Sequence, residues 1–202
     1  MMNQPPESKI ILTDVDHCLT SWIHSFHGYM DELGHARVDD HHQHFFVNDK
    51  YNIDFDHAEE LVAEFNLTDS IKTLSPFKDS QEYVGRLKDE GFEFHAVTSI
   101  GTHKTTVANR IHNLEMLFGE DTFSSVNCIP VFGDKSQILK RWKDEKYMWI
   151  EDCPKNAEVG LNLGLFPILI MHPENAHSKL EVPRVSNENP WKEIYDMAQY
   201  YY

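Results

Sequence analysis

Ile10-Ile11-Leu12-Thr13-Asp14-Val15-Asp16-His17-Cys18-Leu19-Thr20 opens as a short apolar run and ends in two carboxylates two residues apart. An apolar run of this length is the pattern of a strand buried on both faces of a parallel sheet. In open α/β sheets ligands bind outside the carboxyl ends of the strands, where Asp14 and Asp16 fall. Strand alternation turns both carboxylates the same way and Val15 the other. Two carboxylates converging in a cleft repel each other, and a divalent cation or one shared proton relieves the repulsion.

The same grammar recurs downstream. Strands are predicted over 9–14, 92–97, 126–131, 147–150 and 166–171. Helices are predicted over 79–90 (closed by Gly91), from 102 or 103 to 118 (stopped by Gly119) and over 135–143. A further helix opens on Pro154 and finishes near Gly164, and a last one starts at about 190, with Trp191, Ile194 and Met197 on its apolar face. Alternating strands and helices specify an α/β, Rossmann-like parallel sheet with helices on both faces. Right-handed crossovers then place every strand's C-terminus on one edge. That edge carries Asp14 and Asp16, then Thr98 and Ser99, then Glu151 and Asp152, with Lys135 at a helix start. Residues 1–19 and 75–202 form this core, with 1–8 a disordered lead-in. Residues 20–74 break the pattern. Trp22, Ile23, Phe26, Tyr29, Met30 and Leu33, then Ala58, Leu61, Val62 and Phe65, recur at helical spacing, with breaks at Gly34 and at Asn48-Asp49. This is a small helical cap inserted directly after the first strand.

The 202 residues carry 18 Lys and Arg against 33 Asp and Glu, a formal charge of -15. Such a surface repels nucleic-acid polymers and anionic membranes and leaves a small phosphorylated substrate as the expected partner; a homodimer is left open. No apolar run approaches a membrane span, and the first residues have no signal-peptide core, so a soluble, cytoplasmic protein is expected. Cys18, Cys128 and Cys153 form no CxxC pair and read as reduced thiols.

Taken together, the residues at the sheet edge suit Mg²⁺-dependent phosphoryl chemistry. Mg²⁺ takes oxygen ligands and keeps several waters. Thr98, Ser99, backbone N–H groups and the Lys135 ammonium would meet the phosphate oxygens. One carboxylate would attack phosphorus while another manages the leaving-group proton.

In this order the four pieces resemble the four motifs of the haloacid dehalogenase (HAD) superfamily of phosphohydrolases. Asp14-Val15-Asp16 matches the first, Val97-Thr98-Ser99 the second, Lys135 the third and Ile150-Glu151-Asp152 the fourth. Within the superfamily the chain looks most like the 5'(3')-deoxyribonucleotidases, through Thr98-Ser99, Asp134-Lys135, the acids 151–152 and Trp22. The resemblance implies a phosphomonoesterase acting on a nucleoside monophosphate. Asp14 would be the nucleophile that forms an aspartyl-phosphate. Asp16 would be the acid and base, its backbone carbonyl also on Mg²⁺. Thr98, Ser99 and Lys135 would hold phosphate, and Trp22 would contact the base. Asp14 and Asp152 would ligate Mg²⁺, with Glu151 in the outer shell. The chain departs from the pattern at His17, where the superfamily has Gly at a sharp turn, and at Ile100, which replaces the family's proline. Eight of the 13 histidines lie in 17–57 and read as a solvated face of the cap. Two alternatives keep part of this scheme: a phosphatase for a sugar phosphate or other small ester, and a catalytically silent binder of a phosphorylated ligand or protein.

Overall fold

Six parallel strands pair in the order β3-β2-β1-β4-β5-β6. They are β1 (Ile10–Thr13), β2 (Glu93–Thr98), β3 (Phe123–Cys128), β4 (Met148–Glu151), β5 (Phe166–Ile170) and β6 (Arg184–Val185). The structure is a computed structural model that describes Pro6 and residues 8–202; most of the expected 1–8 lead-in lies outside the described residues. The helices are α1 (Trp22–Glu32), α2 (Val47–Tyr51), α3 (Phe55–Leu67), α4 (Ser80–Asp89), α5 (Lys104–Phe118), α6 (Ser136–Leu139), α7 (Pro154–Asn162) and α8 (Pro190–Tyr201).

Strand alternation sorts the core into two layers. Ile11, Met148 and Ile150 face a cluster with Val84 and Leu87 of α4, Leu114 of α5 and Trp191 and Ile194 of α8. Leu12, Val97 and Trp149 face the opposite cluster with Leu139 of α6 and Val159 of α7. The central strands are buried on both sides, which is why they read as unbroken apolar runs. The chain leaves the core at Thr20 and returns at Pro76, and these two residues form an isolated antiparallel bridge. Between them α1, α2 and α3 build an apolar cluster of their own around Phe26, Met30, Leu61, Phe65 and Ile71, against which Ile100 of the core packs.

Three local expectations need correction, and one strand was not expected. The strand expected at 126–131 lies at Phe123–Cys128; Pro130 has no N–H to donate, and β3 is an edge strand whose alternating Ser, Val and Asn hide its start. The helix expected over 135–143 is α6 followed by a tighter turn, Lys140–Trp142. Asn48 and Asp49 do not break the chain but sit inside α2; the reversal comes at Asn52, at φ +49°, a left-handed conformation that asparagine tolerates. The two residues of β6, behind Pro183, had no readable strand pattern.

Helix α7 approaches the sheet closely at Gly160, where a Cβ would lie 2.4 Å from Cδ1 of the fully buried Trp149. We expect Gly160→Ala to destabilise the fold by about 1–3 kcal/mol, as overpacked cores do. Thermal melts check this, and an unchanged Tm would show that α7 can shift freely off the sheet.

Candidate active site

The site is assembled where β1 and β4 end side by side. The Asp14 amide donates to the Ile150 carbonyl at 2.9 Å, extending the ladder and fixing Asp14 at the sheet edge. Lys135, just before α6, is buried and reaches both strands: its Nζ lies 2.7 Å from Asp14 Oδ1 and 2.6 Å from Glu151 Oε1. The other Glu151 oxygen accepts the amides of Asp152 (3.0 Å) and Cys153 (2.8 Å), which folds the loop after β4 around it. Asp152 is held through its carbonyl by Asn175 Nδ2 at 2.8 Å, which also ties to Ile170. Its Oδ2 lies 3.2 Å from His17 Nδ1.

His17 takes φ +63°, a left-handed conformation that favours glycine. His172 Nε2 sits 3.2 Å from its carbonyl. The departure from glycine is therefore accommodated in the turn, and its imidazole is spent on Asp152.

Burial dominates the electrostatics. It pushes Asp14 up to about 6; Lys135 opposes the shift, while Asp152 and Asp16 add to it. Glu151, fully buried, is likewise raised to about 8 against the pull of Lys135. For Lys135 burial works against the charge, but Asp14 and Glu151 more than offset it and the ammonium is held. Asp152 is lowered overall, because the hydrogen bond and charge of His17 outweigh its burial.

These residues fit a hard divalent cation. Asp14, Cys18 and Asp152 each offer a ligand atom within 4.8 Å of the others, the two carboxylates are the hard donors Mg²⁺ prefers, and a cation there would relieve the crowding that raises Asp14. No such cluster among the described residues is formed by the histidines of the inserted segment. The three thiols are unpaired; Cys18 is buried beside Asp14, and Cys153 lines the cavity above it.

That cavity, of about 670 Å³, opens between the sheet edge and the inserted helices. Asp14, Asp16, Ser99, Lys135 and Asp152 line its floor; Trp22, Phe45, Phe46, Val62 and Phe132 line its walls. Thr98 is fully buried at the end of β2, and its Oγ1 has no hydrogen-bond partner among the described residues. Trp22 reaches the cavity, but it is also built into the insertion's core. It stacks on Phe26 with centroids 4.6 Å apart and donates Nε1–H to Asn66 Oδ1 at 2.9 Å.

Sequence reasoning missed three participants. Arg110, fully buried on α5, places Nη2 2.6 Å from Asp16 Oδ1. Lys50 of α2, also buried, bridges to Glu174 at 3.0 Å and to the His41 carbonyl at 3.1 Å, joining the insertion to the core beside the cavity. Phe132, exposed at the cavity mouth, lies 5.7 Å from Phe55. For Arg110 a signal existed: Thr106, Asn109, Arg110 and Asn113 share one helical face, and all four are buried. A polar stripe of that kind reads as solvent-facing until the fold is known.

The fold is that of the haloacid dehalogenase-like hydrolases, a six-stranded parallel α/β sheet with helices on both faces. A haloacid dehalogenase-like family hydrolase of Streptococcus pneumoniae superposes with a TM-score of 0.67 at 13% identity, covering 94% of this chain and 98% of that one. A HAD family hydrolase of Deinococcus radiodurans with bound phosphate and sodium superposes with a TM-score of 0.63 at 15% identity, covering 97% of each chain. In sequence the chain is similar, at 31% identity over 169 residues, to an uncharacterized 32.4 kDa protein of the Gp30-rIII intergenic region of Enterobacteria phage T4. The match covers 80% of this chain and 60% of that protein's length. No family model matches the chain. Among the described residues no helix is long and apolar enough to cross a membrane.

The raised Asp14 sets a pH dependence. A carboxyl held near 6 in the fold against an ordinary 3.8 contributes stability that is present below 3.8 and lost as pH rises through about 6. A cation on the ionised group restores it. We expect Mg²⁺ to raise Tm clearly at about pH 7.5 and much less at about pH 5, where Asp14 is protonated. Scanning calorimetry with and without EDTA checks this. Equal shifts at both pH values would contradict Asp14 as a ligand.

Proposed function

We propose that the protein is a Mg²⁺-dependent phosphomonoesterase of the HAD superfamily, acting on a nucleoside monophosphate, with residues 20–74 as the cap that selects substrate. The observation that carries this reading is the position of Asp14: a buried carboxylate clamped by Lys135 and neighboured by Asp152, on the floor of a cavity roofed by the inserted helices.

Asp14, Asp152 and the Asp16 carbonyl would hold a cation, which when bound would supply charge neutralisation for the phosphoryl oxygens. The chain's own residues do the rest. Lys135 fixes Asp14 Oδ1 and balances the negative charge where nucleophile and phosphate meet. Glu151 anchors Lys135 from the other side. Ser99, which lines the cavity, would bind a phosphoryl oxygen, and the hydroxyl of Thr98, buried just behind it and without a partner among the described residues, would be a second donor. The Asp14 carboxylate attacks phosphorus, the ester P–O bond breaks, and Asp16 gives its proton to the departing oxygen. Water then attacks the aspartyl-phosphate, Asp16 takes that proton, and inorganic phosphate leaves with Asp14 regenerated.

The choice of a base over a sugar is supported by the roof's apolar lining. Ile23, Phe45, Phe46, Val47 and Val62 give it apolar and aromatic faces. Its polar groups are engaged elsewhere: Asn66 with Trp22 and Ile100, Lys50 with Glu174 and His41. A sugar phosphate, which shares the core chemistry, would find its free hydrogen-bonding partners on the core side of the cavity, at Lys155 and Asn156, and not on the roof. The unpaired thiols are in keeping with a reducing, cytoplasmic setting.

Phosphate release with Mg²⁺ and with EDTA, across nucleoside monophosphates, sugar phosphates and p-nitrophenyl phosphate, tests the proposal. Mg²⁺-dependent release concentrated on nucleotides is expected, and Asp14→Asn abolishes it while the protein keeps a cooperative melt. Release concentrated on sugar phosphates would overturn the cap reading, and no release from any ester would favour the silent binder. Trp22→Ala is a poor probe of base contact, since it empties a core position at a cost of about 3–5 kcal/mol. Phe46, half exposed on the wall, is the cleaner one. Loss of one stacking face is worth about 1–3 kcal/mol, so Phe46→Ala raises KM for nucleotides and leaves that for p-nitrophenyl phosphate unchanged. Equal effects on both would remove Phe46 as a base contact.

A further inference from the structure

A guanidinium excluded from water needs a built reason to be there. Arg110 is 0% exposed, in the second turn of α5 and on no motif, yet its two terminal nitrogens converge on the loop that follows β1. Nη2 lies 2.6 Å from Asp16 Oδ1 and Nη1 3.2 Å from Thr20 Oγ1. Thr20 closes the triangle by donating its own hydroxyl to Asp16 Oδ1 at 3.1 Å. One oxygen of Asp16 is thus held by two donors from different elements. The other has no hydrogen-bond partner among the described residues, and Asp16 lines the cavity floor.

We propose that Arg110 is a positioning residue that, with Thr20, locks the Asp16 carboxyl group by Oδ1 so that Oδ2 is the oxygen presented to the leaving group. The inference rests on the reading of Asp16 as proton donor given above, and it adds a residue outside the four motifs. It also ties the acid to the insertion. Thr20 is where the chain leaves the core, in the bridge with Pro76. The same face of α5 holds the returning segment, through Asn109 to the Thr68 carbonyl at 3.1 Å and Asn113 to the Leu74 carbonyl at 3.0 Å. One helix face therefore fixes the angle of the acid and both ends of the insertion.

A residue that orients a proton donor matters most when the leaving group needs a proton. The test compares Arg110→Met, Arg110→Lys and Thr20→Val on p-nitrophenyl phosphate, whose nitrophenolate leaves unprotonated, and on an alkyl phosphate, whose alkoxide does not. The readout is kcat/KM, which reports the first phosphoryl transfer. General acids contribute about 10²–10⁴-fold, so we expect Arg110→Met to lose at least about tenfold more on the alkyl ester than on the nitrophenyl ester. Arg110→Lys recovers part of that difference, and Thr20→Val shows a smaller loss of the same selectivity. Equal losses on the two esters in Arg110→Met and Thr20→Val would overturn the inference while leaving the phosphatase reading intact. No turnover of either ester by the unsubstituted protein would overturn both. Should Arg110→Met lose its cooperative melt, Thr20→Val and Arg110→Lys decide by the same split, because Thr20→Val leaves Arg110 on Asp16 and Arg110→Lys keeps a cation beside it.

Discussion

A buried ammonium between two buried carboxylates holds this structure's working edge together. Lys135 reaches Asp14 at the end of β1 and Glu151 at the end of β4, and it is almost wholly removed from water. Such a group is tolerated only while both partners are in place; removing one partner of a buried pair costs about 3–5 kcal/mol. The interaction also has a chemical consequence. Of the two carboxylates, Glu151 is fully buried and spends its second oxygen on the Asp152 and Cys153 amides. Asp14 keeps its second oxygen at the cavity floor. The same cation that staples the strands thereby separates an anchored carboxylate from one that still faces the cavity.

Around this centre the remaining polar contacts bind the insertion to the core. Lys50 and Glu174 join them on one side of the cavity. On the other, the buried polar face of α5 carries the backbone carbonyls of the returning segment and the Arg110–Asp16 pair. Such contacts are directional, unlike the apolar packing of Ile100 against Phe65 and its neighbours, and they fix how the roof sits over Asp14.

How much of this was legible in the sequence depended on whether burial and polarity agreed. Strands β1, β2, β4 and β5 are apolar and central, so their positions, their shared edge and the acids at their ends could be read directly. Edge strand β3 alternates Ser and Asn with apolar residues, and its start was misplaced by three residues. Arg110 and Lys50 are charged residues on helices, and a charged helical residue reads as solvent-facing; their burial follows only from tertiary contacts. Trp22 could be placed near the site by position, and its stacking on Phe26 is an i, i+4 pair within α1, but its bond to Asn66 depends on α3 folding back across α1. His17 could be recognised as a departure from glycine, whereas its contact with Asp152 needed β1 and β4 to be adjacent.

The most direct test of the account is to look for the phosphoryl group on Asp14 itself. The protein is mixed with Mg²⁺ and a nucleoside monophosphate, quenched in acid within a turnover, digested and mapped by mass spectrometry. The account predicts one phosphoryl group on the peptide that contains Asp14, absent in Asp14→Asn and absent with EDTA. A protein that releases phosphate while that peptide stays unmodified, with the label on another residue or on none, would contradict it.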